Sequence, residues 1–198
     1  MKKLYLKKQA GFSLVEMLVS ISILLLVVTG PMTVTSRTSK SATFATEQVQ
    51  AFFLAQEGLE IAQKLRDDLL LVNFASAGVA WTAFSNSTAA GAGAGAYQRC
   101  FNGGCGLEWA NGNSVSSSVS CSTITDCRLY RKNNPDRSLY TYSAAGNTIT
   151  PFTRKINFTK TLDLKGIKVV SQVTWRTGSL VAEQRVEVET YLYNIYGL

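Results

Sequence analysis

Five side chains in this sequence stand where their chemistry calls for a partner. Glu16 is a carboxylate near the head of a long apolar run, and Cys100, Cys105, Cys121 and Cys127 are the only thiols. Histidine is absent throughout. Its absence removes Ser-His-Asp triads, Cys-His nucleophile pairs and histidine-bearing metal sites together. An enzyme would be left with a carboxylate pair, Ser-Lys chemistry or a metal. Asp67-Asp68 is the only adjacent acidic pair, and it falls at a helix end, where solvated charges are ordinary. No catalytic residue, metal ligand set or cofactor site is assigned.

The four cysteines allow two chemistries. An even number of thiols late in a chain that crosses a membrane favours disulfides in an oxidising compartment. A four-cysteine zinc site is the rival, but zinc knuckles favour two to four residues between paired ligands. Here the gaps are four and five residues. Three connectivities satisfy the count. Local pairing, Cys100–Cys105 and Cys121–Cys127, is preferred, because Gly103-Gly104 can turn the chain sharply inside "CFNGGC". In a nested hairpin, Cys100 and Cys105 would point to opposite faces.

The formal net charge of +7 suggests a nucleic-acid footprint until the lysines are located. Lys2, Lys3, Lys7 and Lys8 all precede Gly11, which leaves 16 of the 20 basic residues against 13 acidic ones. The remainder are scattered, with one loose group at Arg128, Arg131, Lys132 and Arg137. Ordinary solvated surface accounts for them better than a nucleic-acid face does.

Glu16 must be explained by the segment that carries it. "GFSLVEML" leads into "VSISILLLVVTG" and the run stops at Pro31. A carboxylate in hydrocarbon costs several kcal/mol, about 2.5–3.5 even on a lenient insertion scale. A cleavable secretory signal would need an h-region of about 7–15 residues and a small-x-small cleavage site, and "PMTVTSRT" offers none. A plain anchor fits the length: Phe12 to Gly30 as a helix spans about 28 Å at 1.5 Å per residue. The lysines before it set the N-terminus in the cytoplasm. Both readings leave Glu16 without a role.

"AGFSLVEMLVSISILLLVVTG" strongly resembles the N-terminal motif of bacterial type IV pilins and type II secretion pseudopilins. The match comprises a short basic leader ending in Gly11, then Phe12, Ser13, Leu14, Val15, Glu16 and the apolar tract. The resemblance implies that a prepilin peptidase cuts after Gly11 and that Phe12 becomes an N-methylated N-terminus. It also implies that Glu16 neutralises the Phe12 ammonium of a neighbouring subunit during filament assembly. Elementary electrostatics supports this role: two buried charges are tolerable when paired with good geometry, and one buried polar pair can set register. The partners implied are other pilin subunits, the prepilin peptidase and the inner-membrane assembly machinery. The implied location is the bacterial inner membrane, single-pass with the N-terminus in the cytoplasm, and then an extracellular or periplasmic filament.

The elements behind this motif follow from patterning. Residues 1–11 are the leader and 12–31 the membrane or filament-core half of a long helix. Gly30 and Pro31 predict a kink or local unwinding. Residues 32–43 are Thr/Ser-rich, with weak helix propensity, and read as a flexible stretch. From Ala45 an apolar stripe returns at Val49, Phe52, Leu59, Ala62, Leu65, Leu69 and Val72, with Ala55 filling the gap. Glu47, Gln50, Glu57, Lys64 and Asp68 occupy the opposite face, and Glu57 and Glu60 can reach Lys64. The segment 52–68 resembles the helix of minor-pilin-like proteins.

Residues 73–136 read as an irregular, Gly/Ser-rich loop region that holds all four cysteines, with "TAAGAGAGAY" as a mobile loop. Asn86-Ser87-Thr88 and Asn157-Phe158-Thr159 match the N-glycosylation pattern, which means little in a bacterial chain. Residues 137–198 read as strands. The period-two sets are Phe152, Ile156 and Phe158; Ile167, Val169, Val173 and Trp175; and Val186, Val188 and Leu192. Pro151 suggests an edge or a strand start, and 138–144 offers a fourth strand. In an antiparallel pair the facing residue numbers of the last two strands must add to an odd value; one such register sets Arg176 opposite Glu187. The expected fold is α+β: the pilin lollipop, a long N-terminal helix under a single three- or four-stranded antiparallel sheet with a disulfide-bearing loop region.

Three functions are then open. The first is a structural subunit, minor rather than major, of a type IV pilus-like filament. The second is a pseudopilin, or an adhesive or DNA-uptake pilin whose head binds a ligand through a face containing Trp81, Tyr97, Trp109 and Tyr130. Core or disulfide-capping roles fit those aromatics better. The third is a membrane-anchored enzyme, for which no constellation of residues speaks. Cofactors are not expected, and nucleic acid is not an expected partner.

Overall fold

Residues 11, 13–72, 77–85, 97–110, 114–115, 118–121, 123–134, 139–162, 165–177 and 182–194 are described in a computed structural model of the chain. The leader (residues 1–10), Phe12, Asn86-Ser87-Thr88 and the Gly/Ala loop before Tyr97 lie outside the described residues. The chain divides into two compact units, residues 1–45 and 46–198. The first helix, α1, is Leu14–Val72.

In the first unit the helix includes Gly30 and Pro31. The unwinding expected there is not seen, and residues 32–43 are helical rather than irregular. Their hydroxyls explain how. Thr33 Oγ1 donates to Gly30 O at 2.8 Å, Thr35 Oγ1 to Pro31 O at 2.9 Å and Thr43 Oγ1 to Ser39 O at 3.1 Å. Upstream, Ser22 and Thr29 bond to Leu18 O and Leu25 O in the same way. Each of these five hydroxyls is thereby satisfied within its own helix.

In the second unit α1 packs with a sheet. Its buried seam is Ala51, Leu54, Ala55, Ile61, Ala62, Leu65 and Leu69. The stripe read from the sequence is therefore rotated at its start: Val49 and Phe52 are exposed, and small residues take the inward face. Gly58 shows why. A Cβ at Gly58 would collide with Ser171 Oγ and come within 3.2 Å of Ile156 Cδ1. At Gly58 the helix lies so close to the sheet that no side chain fits between them. Lys64 pairs with Asp68 at 2.8 Å.

Two short helices follow where the sequence reading placed only loop: α2 (Ala77–Ser85) and α3 (Gln98–Phe101). Ala80 and Phe84, four apart, are buried. After α3 the chain turns at Gly103 and Gly104, with φ of 93° and 103°. Only glycine adopts such angles cheaply.

Nine strands are described: β1 (Cys105–Gly106), β2 (Trp109–Ala110), β3 (Ser114–Val115), β4 (Val119–Ser120), β5 (Arg128–Arg131), β6 (Tyr140–Thr141), β7 (Thr148–Lys160), β8 (Gly166–Trp175) and β9 (Gln184–Tyr193). β7, β8 and β9 are consecutive antiparallel neighbours, the sheet expected from the period-two sets. β1 and β5 pair with the other side of β7, β4 extends from β1 and β6 from β5, giving seven strands instead of three or four. β2 and β3 form a separate ribbon. The added strands have two to four residues, too few to show a period.

The β8–β9 parity is as expected, but the register is not Arg176 opposite Glu187: Gln172 faces Glu187 and Val173 faces Val186. This register sets Ile167 against Leu192. Pro151 is not at an edge, because β7 is an interior strand. It sits where the β5 register shifts between Arg128 and Tyr130. At this bulge Thr150 Oγ1 donates to Leu129 O at 2.6 Å, supplying a donor beside the proline that has none.

Aromatic rings close the core. Phe158 lies 5.6 Å from Phe84 and 5.4 Å from Phe101, and Trp81 lies 5.8 Å from Phe84.

Candidate assembly site

The N-terminal helix gathers the residues that the sequence singles out. Gly11 is exposed and precedes the helix, while Phe12 is outside the described residues. Glu16 is in the first turn, where a carboxylate meets the positive end of the helix dipole. It is exposed, and among the described residues no cation lies within ion-pair distance of it. Ser13 O accepts from Met17 N at 3.1 Å.

Around Glu16 the helix surface is apolar and bare. Leu14, Val15, Met17, Leu18 and Val19 are all exposed, and so are Ile21, Ile23 and the run Leu24–Val28. Leu14 exposes 77% and Leu26 75% of their surface. The best window of this helix has a mean hydropathy of 2.2 and none of it is buried within the chain. By length and composition it can cross a membrane. Each bare Leu, Ile or Val side chain gains about 1.5–3 kcal/mol when fully covered, so this surface strongly favours lipid or other helices over water. The arrangement offers an apolar surface and one carboxylate that can take an ion-pair partner.

The head, residues 46–198, is organised by a residue the sequence reading missed. Arg154 is fully buried. Its Nη1 donates to Glu57 Oε2 at 2.8 Å and to Leu54 O at 3.1 Å, both on α1. Nη2 donates to Leu107 O at 2.9 Å and Nε to the Tyr142 hydroxyl at 3.0 Å. That hydroxyl in turn donates to Arg154 O, and Glu108 accepts from Tyr142 N at 2.9 Å. Burial pushes the Tyr142 phenol up, partly offset by the Arg154 charge. The signal was parity: Arg154 sits between Phe152 and Ile156 on the apolar face of its strand.

The cysteines form Cys100–Cys105 and Cys121–Cys127, and all four are buried. A 3-10 turn at Ile124–Cys127 leads into the second bond, and Thr123 and Asp126 cap it reciprocally. Thr123 N donates to Asp126 Oδ2 at 2.8 Å. These hydrogen bonds, first from the backbone and then from the Thr123 side chain, hold the Asp126 carboxyl below its ordinary range.

Of the aromatic residues considered for a ligand face, Tyr97 belongs to the core cluster instead and Trp81 packs against it. Tyr97 is buried, its phenol pushed up by burial and then by the Asp68 charge. Trp81 packs on Phe84, Tyr130 is half-buried in β5, and the Trp109 side chain lies outside the described residues. Asp67 pairs with Arg66 and Asp68 with Lys64, so neither is a poised acid. Among the described residues no three Cys, Asp or Glu side chains cluster as metal ligands.

Residues 6–30 match the model of the prokaryotic N-terminal methylation motif. No curated protein and no solved structure matches the chain.

Proposed function

We propose that this chain, whose N-terminus carries the methylation motif of the type IV pilins and pseudopilins, is a minor structural subunit of a type IV pilus-like filament. A prepilin peptidase removes the leader after Gly11, and Phe12 becomes the methylated N-terminus. The helix holds the subunit in the inner membrane and then packs in the filament core. Glu16 neutralises the Phe12 ammonium of a neighbour. The observation that carries this reading is the matched motif on a helix whose N-terminal apolar stretch has no residue buried within one chain. Lipid before assembly and other helices after it would cover that surface.

Two features of the head support a filament subunit. Val49 and Phe53 expose 54% and 62% of their surface on α1, which suits packing against neighbours. Glu187 and Glu189 lie on β9 and pair with Arg185 and Lys168, which favours a pilus over a pseudopilin with a calcium loop. The chain performs no catalysis of its own; the work of assembly comes from a motor.

Glu16→Gln tests the assembly role. The variant should be processed, retained in the membrane and disulfide-bonded, yet be depleted from filaments sheared off the cell surface. Incorporation at the wild-type level would sink the proposed role of Glu16.

A further inference from the structure

A cleft of about 350 Å³ opens between the ends of β7 and β8 and the turn that precedes β5. Its volume is near the lower end for ligand pockets, enough for one sugar ring. Thr153 and Thr174 form the floor. Both are buried, and their hydroxyls bond to each other. Arg128, Arg176 and Glu183 stand at the cleft.

The charges there are unspent. Among the described residues neither Arg128 nor Arg176 has a carboxylate within ion-pair distance, and Glu183 has no cation. The acid nearest in sequence to Arg128 is Asp126, and its Oδ2 takes the Thr123 amide. The walls are held in place. Cys121–Cys127 staples the turn, its capping box closes it, and the β5 bulge with Pro151 and Thr150 shapes the rim. Bulges of this kind re-aim side chains beside functional sites.

We propose that this cleft binds a monoanionic sugar, a hexuronate-type acid. Two guanidinium groups against one carboxylate leave a single positive charge, which suits one anionic group and disfavours a neutral ligand. A planar carboxylate matches the guanidinium fork in bidentate geometry. The threonine oxygens and Glu183 supply acceptors for ring hydroxyls; the Thr150 and Thr153 protons are held by Leu129 O and Thr174 O.

Titration calorimetry on the full-length chain in detergent micelles tests this, with sodium glucuronate, glucose and sodium phosphate as probes. Glucuronate should bind saturably, one per chain. Glucose and phosphate should each be weaker by about tenfold or more. Arg176→Gln alters an exposed side chain and should leave the fold intact, judged by an intact Cys121–Cys127 bond. It should weaken glucuronate by about tenfold, with partial recovery in Arg176→Lys. Arg128→Gln should act alike. No saturable glucuronate binding at millimolar concentration overturns the proposal. Equal binding of glucose, equal binding of phosphate, or unchanged binding in the Arg128→Gln/Arg176→Gln double variant overturns it too.

Discussion

Arg154 Nη1 lies 2.8 Å from Glu57 Oε2, joining the central strand of the sheet to the helix above it. The guanidinium is fully buried while Glu57 keeps a quarter of its side chain exposed. Removing one partner of such a pair is costly because the other is stranded. Arg154→Met should destabilise the head by about 3–5 kcal/mol, since Leu54 O, Leu107 O and the Tyr142 hydroxyl all lose their donor. Glu57→Gln, which keeps an acceptor, should cost much less. Denaturant unfolding of the full-length chain in detergent measures both, and an Arg154→Met loss as small as that of Glu57→Gln would mean that Arg154 does not organise the head.

Gly58 makes a second, independent prediction. Gly58→Ala raises helix propensity by about 1 kcal/mol, yet its Cβ would meet Ser171 Oγ, Ile156 Cδ1 and Arg154 Cδ. Overpacking of this kind costs about 1–3 kcal/mol, so the variant should have a lower unfolding midpoint. Ser171→Gly in the same chain should restore part of the loss.

The disulfides should each contribute about 2–4 kcal/mol. Peptide mapping of the unreduced chain should recover Cys100–Cys105 and Cys121–Cys127 as separate linked peptides. Paired Cys→Ser replacement at either bond should lower the unfolding midpoint. Replacement at Cys121 and Cys127 should also weaken the glucuronate binding proposed above, because that bond staples a wall of the cleft.

Asp126 sets the sign of one pH effect. Its carboxyl is held low by hydrogen bonds in the folded chain. The stability it confers is therefore present above its unfolded pKa and lost as pH falls through its folded one. Asp126→Asn should flatten that part of the acid limb, seen as a smaller drop in unfolding midpoint from neutral pH down through the carboxylate range. An identical drop in wild type and variant would show that the cap is not formed in solution.

Long, periodic segments were readable from residue order. Ile167, Val169, Val173 and Trp175 alternate over ten residues, and β8 forms there with the apolar set inward. Parity constrained the pairing of β8 with β9 but not the offset, because several registers bury the same set; Val173 facing Val186 had to be seen. The helix stripe was misplaced at Val49 and Phe52, since large apolar residues were weighted over Ala51 and Gly58, and close packing on a sheet inverts that preference. Gly30-Pro31 read as a kink or local unwinding and residues 32–43 as a flexible stretch, but these residues lie within one helix. Strands as short as Cys105–Gly106 have no period to read. Arg154 was legible by parity, as a charge among Phe152, Ile156 and Phe158. The cleft was not, because Arg128, Arg176 and Glu183 are far apart in sequence and line it from three different segments.

The claim on which the rest depends is processing at Gly11, and the intact mass and N-terminal sequence of the chain from native membranes or sheared filaments test it most directly. The account predicts a chain that begins at N-methylated Phe12. A chain that still carries "MKKLYLKKQAG" in cells with an active prepilin peptidase would contradict it and leave Glu16 without a role.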